Sequence, residues 1–286
     1  MTDVIADVAR HPGRCRLSSR SMATLVCFHA HPDDESIATS GTMAKAKALG
    51  HRVVLVVATR GENGEPVPGI LGEGEQLGVR RTAEAYESGE IIGVDRVEFL
   101  GYVDSGMVDT ATSTAPWCFS QAEVDHAAAR LAVILGEESA DVLTIYDDNG
   151  GYGHPDHIQV HRVGRRAAEL VGLDQVFQST MNRTQIVESM RDRMDEVPEG
   201  VEVPDFDDAG FGKAEHEITH RVSVADFLET KRASMLAHRS QIPPDHFLVS
   251  MPAEAFAIGM GTEWYIAEGP SPADGTLAAE LFEPLR

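Results

Sequence analysis

Residues 24–36 read "TLVCFHAHPDDES". The first part is a short apolar run, the pattern of a strand buried on both faces of a parallel sheet. It ends in His31, Asp33, Asp34 and Glu35, a dense group of metal-seeking side chains at one strand end. Residues 140–157, "ADVLTIYDDNGGYGHPDH", repeat the arrangement: a β-type run, a glycine-rich turn and a second His-Pro-Asp.

Outward from these two stretches, strand and helix patterns alternate. "SIATSGTMAKAKALGH" (36–51) reads as one helix closed near Gly50. "RVVLVVATRG" (52–61) is β-branched and strand-like, followed by the loop "GENGEPVPGILGEGE". A helix is expected at 77–92, a strand in "RVEFLGYVD", and a helix in "SQAEVDHAAARLAVILGEE" capped near Ser120 or Gln121. "HPDHIQVHRVGRRAAELVG" is a helix and "QVFQSTM" a fifth strand. Repeated strand–helix units predict an α/β fold, a Rossmann-like, doubly wound, mostly parallel sheet with a smaller C-terminal α+β extension. In such sheets ligands bind at the carboxyl ends of the strands. "FHAHPDDE", "TRGENGE", "GYVDSGM" and "YDDNGGYGHPDH" follow strands one to four, so all four polar clusters fall at one sheet edge.

The expected organisation is a loosely ordered N-terminal extension (1–22), with Met22 as an alternative start, and a catalytic core (23–181). An acidic insertion or lid (182–217) and a C-terminal subdomain packed on the core (218–286) follow.

Bulk properties narrow the function. Hydrophobic residues make up 42% of 286, ample for a core. A net charge of −22 argues against nucleic acid and against an anionic membrane as partner. The three cysteines, Cys15, Cys27 and Cys118, have no CxxC spacing, which disfavours a disulfide framework or a thiolate metal site. No apolar run approaches the roughly 20 residues that span a bilayer, and the N-terminus lacks the apolar core of a signal peptide. A cytoplasmic protein acting on a small molecule is expected. The oligomeric state is left open, a homo-oligomer included.

The two clusters suit a divalent metal bound by imidazole nitrogen and carboxylate oxygen. His31 and Asp34 are three apart across a turn stiffened by Pro32, so both can face one point. Asp33, between them, would point elsewhere, to where it can take a proton from an attacking water. Glu35 could orient the ligands, while His29 reads as a packing or supporting residue. His154 or His157 could supply a third ligand. The other would act as acid or electrostatic stabiliser, its ring held by Asp156. Tyr152 is placed to donate to a substrate oxygen.

Blander readings compete. A His–Asp pair can be a salt bridge or a helix cap. "GEGEQLG" is plain loop, since its glutamates would repel phosphate. "DDNGG" lacks the bidentate glutamate of a calcium loop. His161 reads as a helix-surface histidine, Ser36 as a local backbone contact, and Trp117 and Trp264 as packing residues.

"AHPDDES" together with "YDDNGGYGHPDH" resembles the LmbE-like, or PIG-L, zinc-dependent N-deacetylase superfamily. Within it the chain is most similar to the mycothiol-pathway deacetylase and the mycothiol S-conjugate amidase. The resemblance covers about 24–180 and thins afterwards. It implies one Zn2+ per chain (Fe2+ or another divalent ion being the alternative), held by His31, Asp34 and His157. It implies Asp33 as general base, His154 beside the substrate carbonyl oriented by Asp156, and Tyr152 at the oxyanion. Arg81 in "RTAE", Glu65 in "GENGE" and Asp104 in "VDSGM" fall where the family carries sugar or polyol contacts. His238 in "AHRSQI" resembles a C-terminal segment of the amidase branch and is taken as a substrate contact, with a helix-end cap as its alternative.

The reading is therefore a zinc-dependent amidohydrolase acting on an N-acyl amino sugar or thiol glycoside, such as N-acetylglucosaminyl-inositol or a mycothiol conjugate. The alternatives are a non-catalytic Rossmann-like sugar- or nucleotide-binding module and a metal-dependent esterase.

Overall fold

A computed structural model of the protein describes residues 22–191, 210–269 and 277–282. The expected N-terminal extension, apart from residue 22, lies outside the described residues, as do residues 192–209 of the expected insertion.

Seven strands form one sheet: β1 (Thr24–His29), β2 (Arg52–Thr59), β3 (Arg96–Tyr102), β4 (Val142–Tyr146), β5 (Val176–Thr180), β6 (His220–Ser223) and β7 (Thr262–Ala267). Their order is β3-β2-β1-β4-β5-β7-β6. The first five strands run parallel. β7 pairs antiparallel with β5, and β6 antiparallel with β7. The α/β fold is the one expected, and the C-terminal segment adds its two strands to the edge of the same sheet.

β1 shows why the central strands are apolar throughout. Successive side chains point to opposite faces. Leu25 and Cys27 join a core cluster with Met43, Ile92 and Phe177, while Val26 and Phe28 join another with Leu131, Val160 and Val163. Both faces are covered, so neither set can be polar. Each such side chain contributes about 1.5–3 kcal/mol by burial.

The helices are α1 (Asp34–Ala38), α2 (Ser40–Ala48), α3 (Leu77–Ile92), α4 (Val124–Glu137), α5 (Pro155–Val171), α6 (Arg183–Arg191), α7 (Leu228–Ala237), α8 (Phe247–Ser250) and α9 (Ala253–Met260). α4 packs on α5, and α7 packs on α1, α2 and α3. No helix among the described residues is long and apolar enough to cross a membrane.

Two local expectations are corrected. The helix expected over 36–51 is broken at Thr39 (φ −139°, ψ 0°). The break creates a new helix start, whose Gly41 and Thr42 N–H groups donate to the Glu263 carboxylate at 2.9 and 2.8 Å. A carboxylate at that end satisfies orphan donors and the positive end of the helix dipole. Gly50 (φ +87°) ends α2 as expected, its N–H bonded to the Lys47 carbonyl. α4 is capped by Glu123, whose side chain accepts from the Asp125 and His126 N–H groups. Ser120 and Gln121 belong instead to a preceding 3-10 turn.

Candidate metal centre

β1 and β4 are neighbours in the sheet, so the loops leaving their carboxyl ends meet. His31 follows β1 and Asp34 opens α1. His154 is the N-cap of α5 and His157 sits in its first turn. Asp147 shapes the second loop by accepting from the Asn149 and Gly151 N–H groups and from the Thr180 hydroxyl. Gly150 is left-handed (φ +63°), and a Cβ there would lie 2.5 Å from the Cβ of His157. Only glycine allows the loop to pass so close to that histidine.

The nitrogens of His31, His154 and His157 gather within 4.8 Å of one another. The hydrogen bonds of each ring reveal its role. His157 Nδ1 donates to the Gly150 carbonyl (3.1 Å), which leaves Nε2 as a lone pair. That Nε2 is buried, makes no hydrogen bond and lies 3.4 Å from Asp34 Oδ1. His31 Nε2 donates to Asp156 Oδ2 (3.1 Å), so Nδ1 is the nitrogen that faces Asp34 Oδ2, at 3.4 Å. Two imidazoles are thus fixed by their far nitrogens, with their near nitrogens turned towards one carboxylate. This is the arrangement in which metal ligands are held. His154 differs: its Nδ1 accepts the Asp156 N–H at 3.1 Å. A ring ligating through Nε2 carries its proton on Nδ1, where that N–H already donates, so His154 suits a proton donor better than a ligand. The residues present therefore fit a divalent metal on His31, Asp34 and His157.

His31, Asp104 and Asp156 also lie within 4.8 Å of one another. Their carboxylate oxygens are already occupied, however. Asp156 accepts from the Ser105 N–H (2.9 Å) and hydroxyl, and Asp104 from the Asn63 (3.0 Å) and Gly106 (2.8 Å) N–H groups. This second trio anchors His31.

Charge follows geometry. Burial alone would lower the His31 pKa, but Asp104, Asp156 and Asp34 raise it well above the usual imidazole value. Burial would raise Asp34, but His157 and His31 hold it well below the carboxylate range. Asp33 is pushed up, chiefly by burial, with Arg81 opposing and Asp34 adding. Burial, helped by His31 and His157, takes His154 down to about 4. Tyr152 is half exposed, stands edge-on to His154 and His157, and is pushed up by burial and by the Asp34 charge.

Several expected roles change. Asp156 does not hold the His154 ring with its carboxylate: its backbone N–H does that, while the carboxylate is spent on His31 and Ser105. Arg81 is buried and donates to the Gly61 and Pro32 carbonyls and to Asp33 Oδ2 (3.1 Å), so its guanidinium braces the Asp33 carboxylate and is spent on these groups. Asp104 is buried behind His31, and Glu65 is exposed on its loop. His238, at the end of α7, is fully buried against Glu35 Oε1 at 2.6 Å. His161 is buried, with Nδ1 3.0 Å from the Tyr146 carbonyl. His29 supports Tyr146 (Nδ1 to the hydroxyl, 2.8 Å), which stacks on His157. Trp117 is exposed.

A cavity of about 690 Å³ opens from Asp33, Asp34, Tyr152 and His157. None of Arg81, Glu65, Asp104 and His238 lines it. Its far wall is Ile186, Met251, Ile258, Met260 and Trp264. Its other missed feature is the buried pair Lys231–Glu263 (2.5 Å). The apolar string "AFAIGM" was the one local signal for this wall.

The model of the PIG-L family, GlcNAc-PI de-N-acetylase, matches residues 26–168. The chain is 36% identical to the 1D-myo-inositol 2-acetamido-2-deoxy-alpha-D-glucopyranoside deacetylase of Salinispora arenicola, over 91% of each chain. It is 39% identical to the protein of the same name from Thermobifida fusca, over 76% of this chain and 83% of that one. The structure of N,N'-diacetylchitobiose deacetylase from Pyrococcus horikoshii shares the fold, with a TM-score of 0.54 and 23% identity, over 85% of this chain and 82% of that one. On the match of half its length and on these relatives, the chain belongs to the PIG-L family of deacetylases.

Proposed function

We propose that the protein is a zinc-dependent hydrolase that removes the acetyl group from N-acetylglucosaminyl-inositol. The observation that carries the reading is the pair of imidazole nitrogens, His31 Nδ1 and His157 Nε2, both turned to the Asp34 carboxylate at 3.4 Å. The names of relatives about 36% identical over most of the chain support the substrate. Two nitrogens and one oxygen, with room left for substrate and water, suit catalytic zinc.

His31, Asp34 and His157 would hold the metal. When bound, it polarises the amide carbonyl and lowers the pKa of the attacking water. The side chains do the rest. Asp33, kept partly desolvated, accepts the proton of that water. Arg81 holds the Asp33 carboxylate in place at 3.1 Å. His154 is neutral near pH 7, its Nδ1 occupied by the Asp156 N–H, so its Nε2–H donates to the developing oxyanion. Tyr152, at the cavity mouth, supplies a second donor. Asp33 then returns its proton to the leaving amine. Asp156 and Asp104 keep His31 aligned, and the sugar enters through the cavity beside Tyr152. Gln185, Ile186 and Ser189 of α6 line that cavity and are proposed to tune substrate range.

The test is release of free amine from N-acetylglucosaminyl-inositol by the purified protein loaded with one equivalent of zinc. Turnover supports the reading. Zinc binding without turnover of this amide, or hydrolysis of simple esters only, overturns it.

A further inference from the structure

Asp33 adopts φ 101°, ψ −32°, a backbone conformation that non-glycine residues avoid. Such strain persists only where the surroundings impose it. Three groups do so. The Asp33 N–H donates to Glu35 Oε2 at 3.0 Å, the Ser36 N–H and hydroxyl donate to the Asp33 carbonyl, and Arg81 ties down the preceding Pro32 carbonyl. Glu35 is itself fully buried. Its other oxygen, Oε1, receives His238 Nε2 and the Ser88 hydroxyl, each at 2.6 Å. His238 reaches it from the end of α7, 203 residues away in sequence. The remaining ring nitrogen, His238 Nδ1, is buried without a hydrogen bond, so the polar contact of this ring is Glu35.

We propose that Glu35 and His238 are positioning residues for the base: His238 fixes the Glu35 carboxylate, and Glu35 holds the Asp33 backbone in the left-handed turn that aims its side chain. The same contact makes the C-terminal helix α7 part of the catalytic apparatus without touching the substrate. The inference rests on Asp33 being the base.

The test uses Glu35→Ala, Glu35→Gln and His238→Ala, each also combined with Asp33→Ala. In Glu35→Ala and His238→Ala, kcat is expected to fall by about tenfold or more, with KM and zinc content unchanged. Glu35→Gln can still accept the Asp33 N–H, so it should recover most of the loss. In the Asp33→Ala background, His238→Ala should lower the residual rate no further, because the base it serves is gone. A readout without turnover separates this idea from the proposed function. In the 15N-labelled, metal-free protein, the Asp33 amide resonance should shift in Glu35→Ala and His238→Ala and stay in place in Glu35→Gln. Turnover lost only through zinc loss, the same factor in the Asp33→Ala background, or an unmoved Asp33 resonance would each overturn the positioning role. A wild-type protein without amidase activity but with the expected resonance shifts would overturn the proposed function alone.

Discussion

His157 Nε2 lies 3.4 Å from Asp34 Oδ1, sealed from solvent and without a hydrogen bond. His31 Nδ1 stands at the same distance from the other Asp34 oxygen. This is too long for a good hydrogen bond. It matches the edge of a tetrahedron whose corners lie at metal–ligand distance, about 3.3 Å. Removing one corner should empty the site: His157→Ala and Asp34→Ala are expected to bind zinc substoichiometrically in metal analysis after dialysis. Asp156→Ala keeps all three ligands but frees His31, and should weaken zinc affinity roughly 10–100-fold. Full zinc occupancy in His157→Ala would remove that histidine from the ligand set.

Gly150→Ala tests the loop. The added Cβ would sit 2.5 Å from the His157 Cβ at a left-handed position. The loop and the start of α5 must move apart, since the Ile158 nitrogen would lie 2.7 Å away, so metal affinity and the melting temperature of the metal-free protein should both fall. Metal titration followed by thermal melting checks both. Unchanged affinity would show that the loop relaxes freely.

How much of this was legible in the sequence depended on distance along the chain. The five parallel strands, α3 and α5 follow from local apolar pattern, and the two His-Pro-Asp stretches mark the site while leaving His154 and His157 both open as its third ligand. The break at Thr39 was not legible, because the carboxylate that caps the new helix is Glu263, more than 220 residues on. Arg81 illustrates the same limit. An Arg-x-x-Glu on a helix fits a sugar contact or a buried brace equally, and only the fold brings the Pro32 and Gly61 carbonyls to it. The ring orientations of His31, His154 and His157 depend on the Asp156 carboxylate and N–H and on the Gly150 carbonyl, roles that spacing does not assign.

Lys231 and Glu263 form a buried pair at 2.5 Å beneath the cavity, and Lys231 also donates to the Ile37 carbonyl. Lys231→Met leaves the Glu263 charge uncompensated and should destabilise the fold by about 3–5 kcal/mol. Adding Glu263→Gln should return part of that loss, since Gln can still accept from one α2 N–H. Urea unfolding of the three variants measures it. Additive effects would show that the pair is not coupled.

His220 offers a pH test away from the metal centre. Burial against Phe177 takes it down to about 4, below the ordinary imidazole value of 6.5. The unfolded chain therefore binds more protons than the folded one between these values, and stability rises with pH across that window. The contribution is complete above about 6.5 and is lost as pH falls towards about 4. His220→Phe should flatten this part of the urea-midpoint profile. A wild-type profile level from pH 6.5 to 4 would contradict the burial of a neutral ring.

The most direct measurement is the rate of amine release from N-acetylglucosaminyl-inositol by zinc-loaded wild type and Asp33→Asn, with zinc content determined on the same samples. The expected result is turnover by the wild type and a loss of at least about 100-fold in kcat for Asp33→Asn, both holding one zinc per chain. Equal rates in the two proteins, or no turnover by a wild type that holds its zinc, would contradict the assignment of Asp33 as the base of a deacetylase.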